Sequence, residues 1–530
     1  MWVWLLACAT EEEPADGLVL LEPRAQLIRL SVDLRGVHPS EDELAAIEAS
    51  PALYEQFVDR YLADPRFLGR VREIFNLRFL TRDGETYFDP GDAGLDADAG
   101  ELADDVGDEV LRLVTYAVEN DLPYSYVVTA EHTMATPLLA AFWGLDYPDG
   151  ATGWQPATWR DARPAAGVLS MTGIWQRYPS MGGNANRHRA NAISKMLLCD
   201  DYLSRPIVLD RAAVDLLTED PENAISTTSS CQSCHSTLDP LAGNLFGFFH
   251  YDDDMSMEDA VTYRPENEEA WRDYSGKEPA YYGRPTANLR ELAWEIAEDP
   301  RFATCAARTV WEGLHQREYE DADWADLQAH RDVFEDGDLR IPPLVRSIVT
   351  SRAYLAGEDE AGRVATARIV SPAQLADVVE GVTGYRWTFG GRDGLTTHDL
   401  GLPVLAGGVD AAYVTTPAYT PSLGLVYVQE RLAQAAARHV AEHDLAEGRT
   451  DDAILLKYVT SASTPDDATF EPQVRHLYLA ITGYPLADDA EEPALLATLW
   501  REVWSVEASP TAAWAAVVTA VLRDPRVILY

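Results

Sequence analysis

The chain has 530 residues, enough for roughly three to four ordinary domains with large cores, and its 47% hydrophobic content is that of a globular protein. Its formal net charge of −45 argues against nucleic acid as a partner, whose phosphates it repels, and against adhesion to anionic lipid. Such a charge serves solubility first and attraction of a basic partner second.

The chain opens on a short apolar run, Met1-Trp-Val-Trp-Leu-Leu-Ala-Cys8. Leu5-Leu6-Ala7-Cys8 resembles a bacterial lipobox, in which the signal is cleaved at the cysteine and the cysteine is acylated. The run lacks a basic start and is short for a signal peptide. Residues 1–17 are therefore expected to be a signal remnant and an acidic tether, with lipid at Cys8 as the membrane anchor. No other stretch is long and apolar enough to span a bilayer.

The body reads as mainly α. Leu53, Tyr54, Phe57, Val58, Tyr61 and Leu62 recur at helical spacing, followed by Asp64-Pro65-Arg66 and a second stripe of Phe67, Val71, Ile74, Phe75 and Phe79. Asp suits a helix cap and Pro a first helical turn. The unit returns twice, as Leu289, Leu292, Ala293 and Ile296 before Asp299-Pro300-Arg301, and as Val517, Val518, Val521 and Leu522 before Asp524-Pro525-Arg526. The irregular separations predict duplicated helical hairpins rather than a solenoid. Residues 82–109, dense in Asp, Glu and Gly, predict a solvated loop; no EF-hand spacing falls in register. Residues 254–283 predict a second acidic loop, and 387–424, with Gly390-Gly391, Gly407-Gly408 and prolines, an irregular stretch with short strands. The domains expected are 18–165 (helical), 166–284 (cofactor-binding), 285–357 (helical) and 364–530 (helical), with a boundary between halves near 357–363.

Cys231-Gln232-Ser233-Cys234-His235 is the chemically specific motif. C-x-x-C-H attaches a c-type haem: the two thiols join the porphyrin's vinyl groups and the adjacent imidazole ligates iron from the proximal side. Thr227 to Ser230 make an exposed lead-in, and Asp239-Pro240 is expected to end the short helical turn carrying His235. Other readings of the pair are a thioredoxin-like dithiol, half a zinc site or a plain disulfide. The first lacks a surrounding βαβ pattern and the second lacks a second C-x-x-C or paired histidines. Of the other cysteines, Cys305 lies on an apolar helical stripe, and an oxidising compartment makes a Cys199–Cys305 disulfide possible. His439 and His443 are four apart, but His-Val-Ala-Glu-His is not H-E-x-x-H, so a solvated face is expected. No P-loop, dinucleotide or G-x-S-x-G fingerprint occurs.

The run from Cys231 through Asp239-Pro-Leu-Ala-Gly243 to Phe248-Phe-His-Tyr-Asp252 resembles the planctomycete-type cytochrome c families, extracytoplasmic proteins with helical domains of unknown function around one haem motif. Ala166-Gly-Val-Leu-Ser-Met171 and Asn184-Ala-Asn-Arg-His-Arg-Ala-Asn191 resemble the family's approach to the haem, and stretches at 29–43, 121–144 and 289–354 resemble its flanking domains. The resemblance touches most of 24–356 and, more weakly, 364–530.

The expected cofactor is one covalent haem c on Cys231, Cys234 and His235, with Arg187 and Arg189 placed to pair with its propionates. Candidates for the sixth ligand are Met181, His188, His250, Met255 and Met257, of which Met181 ranks first. The leading expectation is a cell-envelope monohaem cytochrome lipoprotein, periplasmic or on the outer surface, passing single electrons to a redox partner protein; catalysis ranks second to electron transfer. The alternatives are a haem enzyme of peroxidase type, and a non-haem scaffold or binding lipoprotein with a Cys231–Cys234 disulfide. The segment 166–283 is expected to depend on haem for its order, since its loops show few periodic apolar residues.

Overall fold

The computed structural model describes residues 17–84, 88–180, 182–207, 211–249, 262–359, 367–397, 401–446 and 452–530. These form a mainly α-helical protein, as the periodicity predicts, and its strands are short two-stranded antiparallel pairs.

The three Asp-Pro-Arg triplets share one local structure. They join Tyr54–Leu62 to Arg66–Phe79, Leu289–Ala297 to Pro300–His315, and Pro510–Leu522 to the 3-10 turn Pro525–Val527. In each, the Asp carboxylate accepts the arginine's backbone N–H, at 2.9 Å for Asp64, 2.8 Å for Asp299 and 2.9 Å for Asp524. The same carboxylate pairs with the guanidinium of that arginine. Proline supplies the first-turn φ and lacks only an N–H that no helix would have used.

One apolar core runs from Leu27 to Ile528, across the boundaries expected near 165, 284 and 357. Leu18–Leu20 pairs antiparallel with Ala356–Asp359, so residues 357–359 are part of a ladder rather than a linker. Beside it the buried Asp33 carboxylate accepts Tyr354 Oη–H at 2.6 Å, Arg368 Nη1–H at 2.8 Å and Tyr530 Oη–H at 2.5 Å. The amino-terminal helix Pro23–Arg35 and the chain's last residue therefore share one buried charge network, which makes the two halves interdependent.

The acidic stretch 82–109 differs from the expected loop, because from residue 99 it belongs to the helix Ala99–Glu119. Leu102, Val110, Leu113, Val114 and Ala117 bury one stripe, and the carboxylates meet arginines: Asp108 pairs with Arg82 at 2.6 Å and Arg112 at 3.0 Å. Tertiary ion pairing and the apolar stripe outweigh the local density of Asp and Gly.

Residues 166–249 also differ from expectation. Val168, Leu169, Ile174, Trp175, Ile193, Leu197 and Leu245 are buried in the main core. Trp175 Nε1–H is donated to Leu169 O at 3.0 Å. The apolar positions are spread over short helices and 3-10 turns, so no single long stripe advertises them in sequence.

Glu109 is fully buried and accepts Thr133 Oγ1–H. Burial pushes its carboxyl up to about 7, against that hydrogen bond and the charge of Arg163. An acid that binds its proton more tightly folded than unfolded favours the folded state at low pH. The protein should thus lose stability as pH rises from about 4.5 to 7, by on the order of 3 kcal/mol from this group. Glu109→Gln should flatten that slope in urea titrations at pH 5 and pH 8; an unchanged slope rules the group out.

Candidate haem-attachment site

Cys231, Cys234 and His235 lie on one helix, Ser229–Gly243. With Leu238 they are spaced i, i+3, i+4 and i+7, which places them along one face. Leu238, Leu241 and Ala242 anchor the helix in the core, and Cys234 packs against the same core. The preceding hairpin of Pro221–Thr227 and Ser229–Gly243 keeps Thr227 and Ser229 exposed. Cys231 and Cys234 are unpaired and partly exposed.

The helix does not end at Asp239-Pro240, as expected, but runs through Pro240. An interior proline removes one backbone hydrogen bond and costs about 3 kcal/mol in an isolated helix. Here the helical form is what lets residue 239 reach residue 235. His235 Nδ1 is 2.8 Å from Asp239 Oδ1, and Arg187 forks onto the same carboxylate at 2.7 Å and 3.2 Å. Asp239 is buried, with its side chain 2% exposed. Burial alone would raise its carboxyl; the hydrogen bonds from His235 and Arg187 and the arginine's charge overcome this and hold it below the usual carboxylate range. An ionised Asp239 only accepts, so Nδ1 carries the imidazole proton. In the neutral ring Nε2 is then the lone-pair nitrogen, and it has no partner among the described residues.

Arg187 comes from the helix Arg187–Leu198, which packs against the motif helix. The neighbouring turn is fastened by Tyr202 Oη, 2.8 Å from Thr237 Oγ1 of the motif helix. Arg205 stacks on the Tyr202 ring at 3.9 Å and pairs with Asp200 at 2.5 Å. Leu203 on this turn is 82% exposed and Ile207, just beyond it, 62%. Cys199, which closes the helix Arg187–Leu198, is disulfide-bonded to Cys305.

The other expected residues fall as follows. Arg187 reaches the motif through Asp239. Arg189 is buried, and its guanidinium donates to the carbonyls of Tyr178 and Phe248 and to Asn186 Oδ1. These donors are committed to local backbone, which leaves Arg187 alone of the two at the motif. His188 is exposed, with Nδ1 3.0 Å from Pro179 O and its ring edge-on to Tyr178. Met181, His250, Met255, Met257 and Cys8 lie outside the described residues. His439 sits against Tyr385, and His443 Nδ1 is 2.8 Å from Asp444. Among the described residues no three His, Cys, Asp or Glu side chains converge as a metal cage, and no helix is long and apolar enough to cross a membrane.

The sequence reading missed Asp239, Tyr202 and Arg205. The His235/Asp239 spacing of four was the available signal for the first; the others depend on tertiary packing. The donor set fits a covalent haem: two unpaired, partly exposed thiols and, one residue on, an oriented imidazole whose second nitrogen has no partner among the described residues. No family model, curated protein or solved structure matches the chain.

Proposed function

We propose that this protein is a cell-envelope cytochrome carrying one covalent haem c, and that it transfers single electrons. The observation that carries the reading is the ordered pair of His235 and buried Asp239 one helical turn after two unpaired cysteines. A C-x-x-C-H string alone fixes no tautomer, whereas this arrangement leaves the Nε2 lone pair available to a metal.

Cys231 Sγ and Cys234 Sγ would each add S–H across a vinyl double bond, with no atom leaving, and His235 Nε2 would ligate the iron. The bound group supplies a one-electron ferric/ferrous couple. Asp239 orients His235 and keeps the Nδ1 proton in place. Arg187 neutralises Asp239, which makes a buried carboxylate tolerable beside the ligand. Leu238 and Leu241 keep water from the inner side of the motif helix. The Cys199–Cys305 disulfide supports an oxidising compartment, where covalent haem is also attached. With lipid at Cys8, such a protein would stay at the membrane surface and meet a redox partner there. The resemblance to the planctomycete-type cytochromes agrees with this reading.

Mass spectrometry of protein matured in a host with haem-attachment machinery tests it. A haem adduct on the peptide containing Cys231 and Cys234 is expected. A two-hydrogen loss on that peptide instead would make the motif a disulfide and the protein a non-haem scaffold.

Asp239 also makes the imidazole a stronger donor, which stabilises the ferric state. Asp239→Asn should therefore raise the midpoint potential, by about 60 mV or more, one tenfold change in a one-electron equilibrium. Redox titration measures this. A potential unchanged within 15 to 20 mV (about a twofold change) would mean that the carboxylate does not tune the ligand.

A further inference from the structure

We infer that the protein holds a second site, separate from the haem motif: a cleft that binds a small organic anion bearing phosphate or carboxylate groups. The cleft has a volume of about 430 Å³, within the range of small-molecule sites, and shares no lining residue with the motif helix. It lies between the helices Arg66–Phe79, Ala99–Glu119 and Pro372–Thr383.

Its charge runs against that of the molecule. The chain carries 42 basic against 87 acidic side chains, yet seven arginines and six carboxylates line this cleft. The positive excess is local. Arg72, Arg82 and Arg112 crowd round the single Asp108 carboxylate, which is held down to about 2; burial opposes this, and the three guanidinium charges outweigh it. Arg82 is satisfied by Asp108 and Glu73. Arg72 is not: among the described residues its nearest carboxylate oxygen, on Asp108, is 3.9 Å away, and its buried Nε has no hydrogen-bond partner. Arg70, one helical turn from Arg66 and Glu73, hydrogen-bonds among the described residues only the Asp33 carbonyl at 3.3 Å and Ser371 Oγ at 3.5 Å. Arg112 lies over Trp154 with 4.9 Å to the ring centre, which holds its guanidinium at the cleft wall.

A guanidinium taken out of water without its hydrogen bonds is unfavourable, and buried polar groups are ordinarily satisfied. Arg70 and Arg72 present donors to the same cleft, and an oxyanion with two or more oxygens is the partner their planar forks fit. The volume exceeds that of a bare ion, which points to an organic anion with its charged group on Arg70, Arg72 and Arg112 and its body toward Trp154.

Calorimetric titration of the full chain at constant ionic strength, with inorganic phosphate, glucose 6-phosphate and citrate, tests this, with chloride as control. Saturable binding of one equivalent is expected for at least one probe, with Kd at or below about 1 mM. Phosphate against citrate separates the two charge chemistries, and glucose 6-phosphate against phosphate reads the contribution of the body. Arg72→Gln should weaken binding at least tenfold, as should the more exposed Arg112→Gln, while Arg501→Gln, at an exposed arginine that does not line the cleft, should not. Arg112→Gln decides the matter should Arg72→Gln fail to fold. No saturable binding by any probe, or binding unchanged in the folded variants, overturns the inference.

Discussion

Replacing both Cys231 and Cys234 with alanine is expected to abolish covalent haem while leaving the fold in place. The loss of haem follows from chemistry, since without a thiol nothing joins the vinyl groups. Retention of the fold follows from packing. The motif helix is held by Leu238, Leu241 and Ala242 in the core, by Tyr202 on Thr237, and by the Arg187–Asp239–His235 chain. None of these contacts uses a cysteine side chain. Cys231 and Cys234 are partly exposed, so truncating each removes about one small group, worth on the order of 1 kcal/mol or less. Limited proteolysis of the double variant should match the haem-loaded parent across 166–284. Cuts concentrated in that stretch would restore haem as the organiser of the segment. His235→Ala separates the roles further. The thioethers remain possible, so covalent haem should persist in reduced amount with an altered Soret band, while Asp239 loses one of its two partners.

Much of this architecture is legible residue by residue, for a physical reason. An Asp-Pro-Arg turn is decided by neighbours: the carboxylate caps an N–H two residues on, and proline presets φ. The long stripes at Tyr54–Leu62, Arg66–Phe79 and Pro300–His315 likewise carry their own periodic signal. The motif's spacing is visible in sequence because the chemistry proposed for it needs two thiols and an imidazole at fixed separations. What sequence hid depends on distant partners. The carboxylates of Ala99–Glu119 read as solvent-facing until Arg82, 26 residues from Asp108, is seen to meet them. Pro240 read as a stop because the Arg187–Asp239 pair, spanning 52 residues, is invisible along the chain. The pairing of Leu18–Leu20 with Ala356–Asp359 and the hold of Tyr530 on Asp33 have no local trace at all. The helical domains thus read as separate units, and the core that joins them did not read.

Removing the Cys199–Cys305 disulfide is expected to cost the protein most of the stability that any single cross-link can supply, and to act on residues 200–249 in particular. The two cysteines are 106 residues apart, and their Cα atoms lie at 5.2 Å, so the bond closes a long loop. In the chain-entropy model a loop of that length restricts the unfolded ensemble by about 4.7 kcal/mol, the upper end of the usual range. The closed loop contains the whole motif helix, its hairpin and the Tyr202–Arg205 turn. It also ties the end of Arg187–Leu198, whose first residue grips Asp239, to the buried helix Pro300–His315. Cys199→Ala with Cys305→Ala should therefore lower the unfolding free energy by about 3–5 kcal/mol in urea. Local opening should increase within 200–249 before it does in Arg66–Phe79, because the first stretch loses its tether and the second does not. Hydrogen exchange of the oxidised parent and the variant measures both effects. Covalent haem should survive in the variant, since its thiols are elsewhere, which separates a structural bond from the attachment site. A loss below about 1 kcal/mol, or opening spread evenly over the chain, would falsify the view that this bond holds the frame in which His235 and Asp239 meet.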